Sequence, residues 1–176
     1  MRERLFAADA RASARLAQRA ARPGLLRAAA IVLAHSGDSP LWLAAVLLAL
    51  WLGSAFWRRE AQIGLAGIAL TAAVVQLLKL TVRRPRPEGQ WGQGYRKLDP
   101  HSFPSGHAAR AAALAALALW LGPLWWAAVL VIWAPLVSLA RVVMGVHYLS
   151  DVAVGAAVGL LCAGVLVAIS AGVGAF

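Results

Sequence analysis

Apolar positions in this chain come in long unbroken runs, separated by short polar interruptions, rather than in the alternation of a half-buried strand. Five runs are long enough for membrane-spanning helices: residues 41–57, 61–82, 105–121, 124–143 and 147–172. Trp42 and Trp57 stand at the ends of the first, and Trp120, Trp125 and Trp126 flank the Gly122-Pro123 break, as interfacial anchors do. Arg58-Arg59-Glu60 reads as a tight charged turn. Ahead of the five runs, residues 25–35 form an apolar helix too short to cross comfortably, a possible sixth span. Ser36-Gly37-Asp38-Ser39-Pro40 reads as a turn and helix start. Residues 1–22 carry Arg at 2, 4, 11, 15, 19 and 22 among many Ala, and Arg11, Arg15 and Arg19 share one helical face. That stretch is expected to lie as an amphipathic helix on an anionic membrane surface, ended by Pro23-Gly24. The pattern thus predicts an all-α, integral membrane bundle over a single domain, 1–176.

Composition narrows the partners. The chain is 61% apolar over 176 residues, with seventeen Lys and Arg against seven Asp and Glu. In a soluble protein a net charge of +10 would suggest nucleic acid, but no nucleic-acid motif is present and most of the aromatic residues sit in apolar runs. The expected partners are therefore a bilayer with anionic lipids and a phosphate-bearing substrate. The single Cys162 lies in an apolar run and supports no disulfide framework. Gly155, Gly159 and Gly164, with nearby Ala, are expected to let helices pack closely.

Up-and-down alternation of the spans brings the end of the second, the start of the third, the end of the fourth and the start of the fifth to one membrane face. Lys79, Arg86, His107, Arg141, His147 and Asp151 gather there. Pro104-Ser105-Gly106-His107 marks a helix start, where unpaired N–H groups and the helix dipole favour an anion. Singly, each residue has a plain structural role: Lys79 snorkelling, Arg86 and Arg141 as interface anchors, His147 and Asp151 as a hydrogen bond along one helix face. Their convergence argues for a site, because an ionisable group at membrane depth costs about 2.5–3.5 kcal/mol. Three cations, two imidazoles and a carboxylate suit phosphoryl transfer.

Lys79-x6-Arg86-Pro87, Pro104-Ser105-Gly106-His107 and Arg141-x5-His147-x3-Asp151, spanning 79–151, resemble the three motifs of the type 2 phosphatidic acid phosphatase (PAP2) superfamily, in its membrane lipid phosphatase branch. One departure is Ala140, where the third motif usually has Ser before its Arg. The resemblance implies that His147 is the nucleophile forming a phosphohistidine, that Asp151 orients it, and that His107 protonates the leaving group and then activates water. It also implies that Lys79, Arg86, Ser105, Gly106 and Arg141 bind phosphate, with no metal and no cofactor. The remaining loop residues Arg83, Arg84, Trp91, Tyr95, Arg96, Lys97, Asp99 and His101 divide between headgroup selectivity and solvation. Implied substrates are a lipid phosphate or prenyl diphosphate: phosphatidic acid, phosphatidylglycerol phosphate or undecaprenyl diphosphate. The rivals are a lipid phosphotransferase using the same intermediate, a non-catalytic phosphate or lipid carrier, and a metal site from His101, His107, His147 and Asp151. The expected location is the cell membrane, multi-pass. The resemblance, with residues 25–35 spanning, puts the site on the extracytoplasmic face; if they do not span, the basic arm lies on the site's own face and the positive-inside rule reverses that.

Overall fold

The computed structural model describes residues 2–88 and 99–172. Seven helices follow in order: α1 Arg2–Arg19, α2 Leu25–Ser36, α3 Ser39–Leu52, α4 Ala55–Val82, α5 Gly106–Leu121, α6 Leu124–Val143 and α7 Leu149–Gly172. The all-α expectation holds; among the described residues the extended chain is limited to an isolated bridge, Pro85 with His101. Trp91, Tyr95, Arg96 and Lys97 lie outside the described residues.

The centre of the bundle is α5, packed against α7, α6 and α4. Its residues 108–118 are all buried, mostly Ala, so neighbouring backbones approach closely. Of Gly155, Gly159 and Gly164 on α7, the first two serve this approach. A Cβ at Gly155 would lie 2.5 Å from the Ser105 carbonyl oxygen, and one at Gly159 would lie 2.0 Å from that of Ala109, whereas Gly164 faces open space. The close contact sets the start of α7 beside the start of α5, where the Ser105 N–H donates to the Asp151 carbonyl (2.9 Å).

Among the described residues, α4, α6 and α7 are each long and apolar enough to cross a membrane, while α2 and α3 qualify only as a pair bent by 51°. Of the five expected spans, α3 and α5 are thus not long and apolar enough to cross alone, α5 being a shorter apolar helix of sixteen residues enclosed by its neighbours. The possible sixth span, α2, packs its Ala30 and Ala34 on Ala140, Met144 and Val146, at the end of α6 that carries Arg141. It thus lies beside the site end of the bundle. The amphipathic α1 docks at that same end: Ser13 Oγ accepts from the Leu149 N–H (3.0 Å), and Asp9 Oδ1 accepts from the Ser150 N–H (3.1 Å). The basic arm and the site therefore lie at the same end of the bundle.

Candidate active site

Each motif is delivered by a helix end. Lys79 is in the last turn of α4, and the chain then turns through Arg83, whose φ of 49° is left-handed. The loop is pinned back on itself where the Ser102 N–H donates to the Arg84 carbonyl (2.8 Å). Ser105 caps α5, its Oγ accepting from the Ala108 N–H at 3.4 Å. Arg141 comes from the last turn of α6, and His147 from the loop before α7. Lys79, Arg86, Gly106, His107, Arg141 and His147 line one cavity of about 170 Å³ with Ser39, Asp99 and Arg110. Ser105, fully buried, and Asp151 support its wall from outside that lining.

The two histidines are held differently. Arg86 Nη1 donates to His147 Nε2 at 3.3 Å, so this nitrogen is an acceptor and the ring proton sits on Nδ1. His147 is 2% exposed; burial, reinforced by Arg141 and Arg86, holds its pKa down at about 4 against the opposing pull of Asp151. The ring is therefore neutral at pH 7, with a lone pair facing the cations. Asp151 Oδ2 lies 3.6 Å from Nδ1, beyond hydrogen-bond reach, and Nδ1 makes no hydrogen bond. That carboxylate is instead fixed by the Tyr148 N–H (2.9 Å) and by Arg84 Nη1 (2.7 Å). His107 Nε2 donates to Asp38 Oδ1 at 2.7 Å, and His35 Nδ1 donates to Asp38 Oδ2 at 2.8 Å.

Arg84 ties the site to α1. Its Nη2 donates to Asp9 Oδ2 (2.8 Å), and its guanidinium lies 3.8 Å from the centroid of the Tyr148 ring. Burial pushes the Asp9 carboxyl up, but hydrogen bonds from Ser150 and Arg84 outweigh it and leave the group below its ordinary pKa. Asp99 occupies the anion site itself, paired with both Lys79 and Arg86. Those cations hold it below the usual carboxylate range, although burial opposes them. Arg86 is further anchored by donating to the Asp99 and Val146 carbonyls at 2.7 and 2.9 Å. A carboxylate standing between two cations marks where phosphate oxygens fit.

The model of the PAP2 superfamily matches residues 60–173. The chain belongs to that superfamily. It is a phosphatase of the membrane PAP2 type, and relatives support this at two depths. The decaprenylphosphoryl-5-phosphoribose phosphatase of Mycobacterium tuberculosis is 37% identical over 140 residues, covering 78% of this chain and 76% of its own. Two solved structures share the fold. Aquifex aeolicus LpxE has a TM-score of 0.71 at 24% identity, over 89% of this chain and 93% of its own. The PAP2-type phosphatidylglycerolphosphate phosphatase of Bacillus subtilis has a TM-score of 0.73 at 22% identity, over 94% and 86%.

Besides Asp99, three residues of this PAP2 site fall outside the motifs. Asp38 sits in a turn that carries no chemical signature in the sequence. Arg84 reads there as one more loop cation. Arg110 is the one with a usable signal: an Arg in an Ala-rich apolar helix, one turn beyond His107. Ala140, the departure from the motif, is buried against α2, where Ala30 and Ala34 fill the space around it.

Proposed function

We propose that this PAP2 protein hydrolyses a lipid phosphate or prenyl diphosphate through a phosphohistidine on His147. The observation that carries the reading is the neutral, buried His147, whose Nε2 faces Arg86 in a cavity walled by Lys79, Arg141 and His107. In the first step Nε2 attacks phosphorus and the bond to the leaving oxygen breaks. The electron pair stays on that oxygen, which takes a proton from His107. Since His107 Nε2 is held by Asp38, Nδ1 serves the leaving group, with the Asp38 carboxylate as counter-charge. Asp151 stabilises the positive charge that grows on His147. In the second step His107 takes a proton from water, which displaces His147 and releases phosphate. Lys79, Arg86, Arg141 and the Gly106 N–H at the start of α5 bind the phosphoryl oxygens, displacing the Asp99 carboxylate. The covalent cations neutralise charge here without a metal.

A lipid substrate is supported by the membrane-length helices and by the relative named for a decaprenylphosphoryl-5-phosphoribose substrate. Phosphatidic acid, phosphatidylglycerol phosphate and undecaprenyl diphosphate remain the classes to compare with prenylphosphoryl sugar phosphates. Assaying phosphate release from such a panel in detergent tests this; turnover of none of them would refute it.

The docking of α1 supports the second of the two expected orientations, with the basic arm on the site's own side. An extracytoplasmic site required residues 25–35 to separate the basic arm from the site, whereas α1 contacts α7 at the site end. Arg4, Arg11, Arg15, Arg19 and Arg22 then share the site's face with Arg83, Arg84 and Arg86, opposite Arg58 and Arg59. By the positive-inside rule this distribution supports a site facing the cytoplasm. With Arg58→Cys and Arg22→Cys in separate chains, an impermeant thiol reagent applied to intact cells should label the first alone. Labelling of the second alone would place the site outside.

A further inference from the structure

Arg110 is the fourth cation of the cavity and has no place in the three-cation account of the transferred phosphoryl group. It lies on α5 one turn past His107 and is 7% exposed. Its guanidinium is anchored at the α2–α3 break: Nη1 donates to Ser39 Oγ at 2.7 Å, and Nη2 donates to the Gly37 carbonyl. The break is packed tightly there, since a Cβ on Gly37 would lie 3.1 Å from His107 Cδ2 and 2.8 Å from Val137 Cγ1. Nε makes no hydrogen bond. The nearby carboxylate, Asp38, is taken by His107 and His35 and is not among the residues lining the cavity. A buried cation with an unpaired N–H beside a solvent-accessible cavity is costly unless an anion completes it. A mere latch between α5 and the break needs two donors but no charge.

We propose that Arg110, with Ser39, forms a second anion subsite on the leaving-group side of the cavity, for a phosphate or phosphodiester carried by the leaving group. This rests on the hydrolase reading above, in which His107 marks the side where the leaving oxygen departs. Arg110 stands next to His107 on the same helix, and Ser39 adjoins Asp38, which holds His107. An alcohol leaving group gives Arg110 no partner. A leaving group that is itself a phosphate monoester does: as His147 Nε2 bonds to the terminal phosphorus and the bridging P–O bond breaks, the electron pair remains on a phosphate oxygen. That oxygen takes the His107 proton as an alkoxide would but depends on it far less, and Arg110 balances the phosphate charge that remains. The site is thereby suited to diphosphates and to lipids carrying a second, anionic phosphoryl group near the scissile bond.

The test compares farnesyl diphosphate with farnesyl monophosphate, which share a tail and differ in the charge of the leaving group. The full chain in detergent micelles is assayed for phosphate release, and the readout is the ratio of kcat/KM for the two substrates. In Arg110→Gln that ratio should fall by about tenfold or more, chiefly through KM for the diphosphate, the scale of losing one charge-assisted hydrogen bond. Equal losses on both substrates would make Arg110 a structural latch and overturn the subsite, as would an unchanged ratio. If Arg110→Gln does not purify as a monodisperse protein, Arg110→Lys carries the test. It keeps the charge but loses the planar fork, so its ratio should fall by about threefold or more; an unchanged ratio overturns the proposal. Wild-type turnover of the monophosphate shows that the hydrolase reading stands whatever the ratio does. Failure of the wild type on both substrates would remove that reading, and the subsite with it.

Discussion

Acidification should destabilise this protein through one identifiable side chain. His147 is nearly inaccessible, at 2% exposure, and its folded pKa of about 4 lies below the ordinary imidazole value of 6.5. A depressed folded pKa means that the native state favours the neutral ring. The stabilisation is complete above about pH 6.5, falls as pH drops toward 4, and does not fall further below that. The gap between the two values corresponds to about 3 kcal/mol, with no discount for solvent screening at so buried a group. The contribution is isolated from that of other groups by difference. Thermal or denaturant unfolding in detergent, followed from pH 7.5 to 4.5 for the wild type and for His147→Gln, does this. The wild type should lose roughly 2–3 kcal/mol more than the variant across that range. The same neutral ring is the nucleophile, so the acid limb of kcat/KM should fall near pH 4. Parallel stability curves for the two proteins, or an acid limb at the ordinary imidazole value, would refute the assignment of a buried neutral His147.

Replacing Asp99 by Asn removes the internal competitor for Lys79 and Arg86, while Arg86 keeps its main-chain anchors at Asp99 and Val146. Asp99 is 39% exposed, so the net gain is about 1–1.5 kcal/mol, read as a fivefold to tenfold lower inhibition constant for inorganic phosphate; a higher constant would contradict the displacement. Arg84→Gln leaves the Asp151 carboxylate with one fewer donor and unties Asp9, so kcat should drop by about tenfold or more with little change in KM. A pure KM effect in that variant would make Arg84 a headgroup contact instead. Excess EDTA should leave phosphate release intact, because the site's positive charge is covalent; loss restored by one particular metal would overturn this.

Much of the fold was legible because lipid imposes a simple code. Uninterrupted apolar runs set the helices, and Gly-Pro or charged breaks set their ends. Alternation of those helices then sufficed to bring Lys79, Arg86, His107, Arg141 and His147 to one end. What the code does not contain is the placement of short or amphipathic pieces, whose position depends on tertiary contacts. The orientation of α1 is decided by Asp9 and Ser13 meeting the start of α7, and residues of that kind are common on any helix surface. Asp38 reaches His107 only because the chain bends by 51° at a glycine packed against that ring. Arg110 was legible in principle, as a charge inside an apolar helix, but it belongs to none of the three motifs. Asp99 was legible as a loop acid; that it stands in the anion site follows from the return of the loop onto Arg84 and Pro85.

The central claim is the covalent step at His147, and trapping it is the most direct measurement. His107→Ala retains the nucleophile but lacks the proton donor for the first step and the base for the second. With p-nitrophenyl phosphate, whose leaving group needs little protonation, the first step should survive. A burst of nitrophenol should then precede slow turnover as the phosphoenzyme accumulates. Mass spectrometry of the quenched protein should find an acid-labile, alkali-stable phosphate on His147, and none when His147→Ala is added. Phosphate on His107 of the wild-type protein, or continued turnover by His147→Ala alone, would contradict the account.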